Sequence, residues 1–186
     1  MPDLVRRLAR LRVPLGFLFA LLVLWLAQPT GQTLFWGSLV AVAGESLRVW
    51  AAGHLNKSRE VTSSGPYRWI GHPLYAGSTI MGVGLAIASN SLIVAALIAL
   101  YLVTTITAAI RSEEAFLREK FGDQYDRYRQ GSPDSVASAA ARRFSLQQAM
   151  ANREHRAVVG LAVAVLLLVL KATYNGFFGR TGAGHQ

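Results

Sequence analysis

Apolar positions in this chain come in long blocks and not at amphipathic spacing. The blocks cover about residues 13–27, 33–53, 74–88, 92–110 and 157–170. Roughly 20 mostly apolar residues cross about 30 Å of hydrocarbon as a helix. The pattern therefore predicts an all-α, polytopic transmembrane protein of about five spans, forming one domain over residues 1–186. The first and last blocks fall short of a full crossing, which Arg12 and Lys171 relieve by snorkelling to the interface. The first block follows Arg6, Arg7, Arg10 and Arg12 in the manner of a signal peptide, yet Gln28-Pro29-Thr30-Gly31 offers no small-x-small cleavage site. It reads as a retained span.

The polar connections alternate in charge. The short ones, 28–32 and 89–91, hold no Lys or Arg, whereas 6–12, the 56–73 loop and 111–156 carry most of the basic residues. Positive loops stay inside, so the expected topology puts the N-terminus, the 56–73 loop and the 111–156 segment in the cytoplasm and the C-terminus on the opposite side. Ser89, Asn90 and Ser91 are too short to do more than turn the chain. The third and fourth spans thus form an antiparallel hairpin. Its cytoplasmic mouth brings the His72–Tyr75 segment against Arg111–Glu114.

Within the cytoplasmic segment, Leu117, Phe121, Tyr125 and Tyr128 recur at helical spacing opposite Arg118, Glu119, Asp123 and Arg127. An amphipathic helix is expected there, then a Ser/Ala/Gly-rich linker over 131–141 and a second helix over 144–156 leading into the last span.

Composition narrows the class. The chain has 186 residues, 52% hydrophobic and only 16% charged, too apolar for a soluble domain of this size. The formal net charge of +9 is spread between apolar spans, with no basic stripe bearing stacking aromatics, so nucleic acid is not an expected partner. Without cysteine there is no disulfide framework, thiolate metal site or cysteine nucleophile. His54, read as a surface residue near the interface, and His155, facing headgroups beside Arg153 and Arg156, lack metal-ligand partners at useful spacing. No metal is expected.

Two polar constellations stand out. Gly65-Pro66-Tyr67 and Gly71-His72-Pro73-Leu74-Tyr75-Ala76-Gly77 form a turn-rich entrance to the third span, with a helix starting at Pro73 and its unpaired amides facing the boundary. Such a start suits an anion. Glu113 and Glu114, adjacent carboxylates at the end of the fourth span, need a cation or donors nearby. Taken singly, these are ordinary turn, belt and helix-start residues. Glu45 and Arg48 fall inside the second span at a three-residue spacing, which suits a structural ion pair first and the lining of an acceptor pocket second.

The combined run of Gly65-Pro66-Tyr67, His72-Pro73-Leu74-Tyr75-Ala76-Gly77, Glu113-Glu114, Leu117, Phe121-Gly122, Tyr125 and Tyr128 resembles the signature of the isoprenylcysteine carboxyl methyltransferase and phospholipid methyltransferase superfamily. The resemblance covers about residues 57–128. It implies an integral membrane enzyme that transfers methyl from the cofactor S-adenosylmethionine to a lipophilic acceptor drawn from the lipid bilayer, at the cytoplasmic face. Carried over by motif position, Tyr67, His72 and Tyr75 line the cofactor site, Glu60, Val61 and Thr62 supply backbone contacts, and Pro73 and Leu74 act through the helix start. Glu113 and Glu114 hold the amino group of the methionine moiety. Members acting on a carboxylate place an arginine near the acceptor, and Arg111 is the candidate here, acting with His72 in catalysis. Gly71 stands where the family carries a basic residue, leaving that contact to Arg68 or Arg111. The resemblance implies an isoprenylcysteine-carboxylate-like or related acceptor, with a phosphatidylethanolamine-type amine as alternative and a small thiol also open. A noncatalytic scaffold or transporter would need a polar path across several spans, and only Glu45 and Arg48 suit one.

Overall fold

The computed structural model describes residues 16, 18–56, 62–123 and 143–182, with side chains to residue 176 in the last stretch. Glu60, Val61, Tyr125, Tyr128, the 131–141 linker and the start of the first apolar block lie outside the described residues. Every regular element among those described is helical. They are α1 (18–26), α2 (Gly31–His54), a 3-10 turn (Gly65–Arg68), α3 (Pro73–Ser89), α4 (Leu92–Phe121), α5 (Leu146–Ala151) and α6 (His155–Gly182).

Local signals explain where these helices begin and end. Thr30 and Thr33 form a reciprocal capping box at the start of α2. Pro73 occupies the first turn of α3, where a missing N–H is harmless. Asn90 (φ 49°) ends α3 in the left-handed region, and Ser91 caps α4 by accepting from the Val94 amide. The expected α3–α4 hairpin is present.

Membrane-crossing character is concentrated in fewer helices than the five blocks predict. Among the described residues, α4 and the His155–Gly176 part of α6 are long and apolar enough to cross a bilayer. α3 is apolar but 17 residues long, and α2, at 24 residues, contains Glu45 and Arg48. The helices also overrun the apolar blocks. α4 continues past Ile110 to Phe121, because the charged residues there are themselves good helix formers, and α6 continues past Lys171. The 144–156 helix is interrupted instead: Arg153 takes φ 64°, and α5 and α6 meet at a corner there.

α2 and α3 pack antiparallel through small residues. A Cβ on Gly84 would lie 2.3 Å from the Ala41 nitrogen, and one on Gly44 would lie 2.4 Å from the Met81 nitrogen. Backbones this close gain dispersion contacts that larger side chains would prevent. Large apolar side chains such as Leu39, Leu100, Val103 and Leu166 remain exposed on the outer faces. Lipid would cover them.

The two ends of the bundle differ. At one, the Gln28 amide donates to the Ser89 carbonyl (2.7 Å), the Asn90 side-chain amide donates to the Gln28 carbonyl (3.1 Å), and Lys171 donates to the Leu24 (2.6 Å) and Trp25 carbonyls. Both Lys- and Arg-free connections therefore share this end. At the other, α5 closes α2: Gln148 donates to the Leu55 carbonyl (2.9 Å), and Asn152 to those of Ala52 and Leu55 (both 2.8 Å). These amides satisfy carbonyls that a helix end leaves open.

Candidate active site

The hairpin mouth is built from the start of α3 and the C-terminal part of α4. Pro73 starts α3 with His72 just outside it, and His72 gives no side-chain cap to the helix. The Tyr75 and Ala76 amides both bond the His72 carbonyl (3.1 and 3.0 Å), which fixes the loop against the first turn. α4 runs beyond the hairpin by enough turns to carry Glu113 and Glu114 alongside.

His72 Nε2 lies 3.4 Å from Glu114 Oε1, and Nδ1 lies 3.8 Å from Glu113 Oε2. A neutral imidazole carries one N–H, and the shorter contact is to Glu114. Glu113, more exposed than its neighbour, is left able to take another donor. Tyr75 stacks at a tilt on His72, ring centroids 5.8 Å apart, with its phenol facing Glu113. A histidine, a tyrosine and two carboxylates thus converge at the start of α3. Such a group can hold an ammonium, orient an imidazole and offer an aromatic face to a cation.

The other expected site residues are distributed around it. Tyr67 sits half-buried in the 3-10 turn. Thr62 is buried, and its hydroxyl accepts from the Asn56 amide (3.2 Å), tying the two sides of the 57–61 segment together. Arg111 is exposed, and among the described residues it pairs with none of the His72 group. Arg68 lies over the Trp69 ring, 5.8 Å from its centroid, and is exposed. His54, expected at the surface, is 5% exposed: Gly65 (φ 58°) packs against its ring, and its Nδ1 lies 3.0 Å from the Trp50 carbonyl. The close approach of the 3-10 turn covers it, and nothing in the local sequence signals that long-range packing.

A second polar group lies between α2, α3 and α6. Arg48 reaches Glu45 (3.3 Å) on its own helix, as its spacing predicts, and also Glu154 (2.7 Å) at the start of α6. It donates to the Ser78 hydroxyl and lies 3.5 Å from the Leu74 carbonyl, in the first turn of α3. Glu154 and Ser78 were not recognisable from sequence, since neither spacing nor motif links them to Arg48. Next to this group, a groove of about 680 Å³ runs between α2 and α6, apolar except for Glu45 and two serines. Among the described residues no cluster of three or more His, Cys, Asp or Glu side chains could hold a metal ion.

A family model described as phospholipid methyltransferase matches residues 31–124, just over half of the 186-residue chain, a stretch that includes α2, the 3-10 turn, α3 and α4. The chain is 30% identical over 99 residues to a protein-S-isoprenylcysteine O-methyltransferase of Schizosaccharomyces pombe, covering 53% of this chain and 42% of that one. It is 35% identical over 88 residues to a nickel-cobalt-cadmium resistance protein of Alcaligenes xylosoxydans xylosoxydans (46% and 41% covered). Over 76 residues it is 36% identical to a cobalt-zinc-cadmium resistance protein of Cupriavidus metallidurans (40% and 35% covered). The chain spans less than half the length of each of these curated relatives. No solved structure matches it. The matched stretch contains the whole His72–Tyr75–Glu113–Glu114 group, and the chain belongs to the phospholipid methyltransferase family.

Proposed function

We propose that the chain is a five-span membrane enzyme that transfers a methyl group from S-adenosylmethionine to a lipophilic acceptor at its basic, cytoplasmic end. The observation that carries this reading is the meeting of His72 and Tyr75 with Glu113 and Glu114 at the mouth of the α3–α4 hairpin.

The donor set suits the cofactor. Its ammonium needs a carboxylate with spare accepting capacity, which Glu113 has. Its carboxylate suits the start of α3, where Leu74 follows a proline and no side chain caps the turn. Tyr67 and Tyr75 supply aromatic faces for a sulfonium or an adenine. When bound, S-adenosylmethionine supplies an electrophilic methyl on a sulfonium that departs as a neutral thioether.

The protein's own task is alignment. His72, held by Glu114, keeps a fixed ring at the transfer point, and the rigid hairpin holds donor and acceptor in line. Positioning of this kind accounts for several kcal/mol of a displacement barrier. Arg111 would meet an acceptor carboxylate, and Glu45 and Arg48 would line the acceptor's approach from the bilayer. The Schizosaccharomyces pombe relative makes an isoprenylcysteine the first acceptor to assay, with an ethanolamine phospholipid second.

Calorimetry on the detergent-purified protein tests the reading. S-adenosylmethionine should bind, and Glu113→Ala should weaken binding by about 1–3 kcal/mol, the scale of one charge-assisted hydrogen bond. Absence of cofactor binding by the intact protein would remove the proposal.

A further inference from the structure

The first turn of α3 carries half of the hairpin mouth, yet it lacks the usual means of holding a helix start in place. His72 gives it no side-chain cap, and Pro73 at its first position brings no N–H. An untied helix end frays. Tyr75, whose ring meets His72 and whose phenol faces Glu113, sits on this turn. Leu74, at the end suited to the cofactor's carboxylate, shares it.

The tie comes from across the bundle. Arg48 of α2 turns each guanidinium nitrogen to a different element. Nε lies 3.3 Å from Glu45 on its own helix, and Nη2 lies 2.7 Å from Glu154 at the corner between α5 and α6. Nη1 donates to the Ser78 hydroxyl and lies 3.5 Å from the Leu74 carbonyl, to which Ser78 also donates (2.9 Å). Gly77 leaves the route open, since a Cβ there would stand 2.6 Å from Arg48 Cγ. Glu154 is itself held: its amide donates to the Ala149 carbonyl of α5 (3.1 Å), and α5 closes the end of α2.

Pairing with Glu45 alone would neutralise Arg48 within α2. The reach to α3 and to Glu154 adds a geometric constraint, because a planar guanidinium fixes the directions of all its donors at once. We propose that Arg48 and Ser78 are positioning residues for the hairpin mouth. They set the first turn of α3, and with it Leu74 and Tyr75, against a frame made by α2 and the α5–α6 corner. With the methyl-transfer reading as its basis, this assignment makes the C-terminal corner part of what shapes the cofactor site, at a distance from the cofactor itself.

Ser78→Ala removes the link to α3 and leaves both ion pairs of Arg48 standing. Thr79→Val is its control, because the Thr79 hydroxyl is exposed and donates to the Tyr75 carbonyl (3.0 Å) on its own helix. Calorimetry with S-adenosylmethionine and thermal unfolding are run on the full chain in detergent. Ser78→Ala should bind the cofactor about three- to tenfold more weakly at an unchanged unfolding midpoint. Ser78→Thr, which keeps the hydroxyl, should bind as the wild type does, and so should Thr79→Val. Wild-type affinity in Ser78→Ala, equal weakening in Thr79→Val, or no rescue by Ser78→Thr would overturn the proposal while the methyl-transfer reading stands. Loss of folding by Ser78→Ala would make the link purely structural and overturn it too. A wild-type chain that binds no cofactor removes both.

Discussion

At His72 one imidazole stands between two carboxylates, and at Arg48 one guanidinium does the same, yet the two groups respond differently to mutation. His72 is partly exposed, so His72→Ala leaves Glu113 and Glu114 in reach of water. We expect unchanged membrane insertion and helical circular dichroism, with turnover reduced. A parallel loss of folded protein would make the residue structural. Arg48 is about as exposed as His72, but its carboxylates are not: its removal strands Glu45 and Glu154, both buried, without a counter-charge. Arg48→Met should cost about 3–5 kcal/mol in a denaturant titration, and adding Glu154→Gln should recover part of it. The sequence shows half of this group. Glu45 and Arg48 are legible as a pair because helical spacing puts them on one face, but nothing local links Glu154 to Arg48. Its role depends on the corner at Arg153, a left-handed residue that no local rule predicts for an arginine.

Among the elements, α2 and α3 form the tightest pair, and its contacts identify which glycines matter. Gly84→Ala must push a methyl into the Ala41 backbone, which cannot give as a side-chain end can. It should destabilise the protein by about 1–3 kcal/mol, the usual range for overpacking. Gly160→Ala in α6 meets nothing within 4 Å and should be neutral or stabilising by up to about 1 kcal/mol through helix propensity. Thermal unfolding of the two variants side by side checks the contrast, and equal effects would mean that the close backbone approach contributes nothing. Element starts were readable because their determinants are local: Pro73, the Ser91 cap and the Asn90 turn all act within a few residues. Element ends were not. Hydropathy marks where lipid would sit, whereas a helix ends only where its backbone does, as at Gly122 (φ 47°) well past the last apolar residue of the fourth block.

For the whole molecule, the two short uncharged connections and Lys171 gather at one end, and the hairpin mouth and α5 at the other. The positive-inside rule assigns the latter to the cytoplasm. Because the chain has no cysteine, single replacements give a clean measurement. Gln32→Cys should react with a membrane-impermeant maleimide applied to intact cells, and Arg143→Cys only after permeabilisation; both positions are exposed. The reverse pattern would invert the topology and place the hairpin mouth outside.

The closing of α2 by α5 also sets an order of events in time. The carbonyls of Ala52 and Leu55 wait for donors 93 to 100 residues further along the chain. At about 5–20 residues per second of synthesis, that delay is roughly 5–20 seconds. Throughout it, Glu45 and Arg48 travel as a neutral couple, an easier cargo for insertion than a charged one. Only when Glu154 leaves the ribosome and docks does Arg48 gain its second carboxylate. The Glu45–Arg48–Glu154 cluster is therefore completed last, as the final helix folds into place.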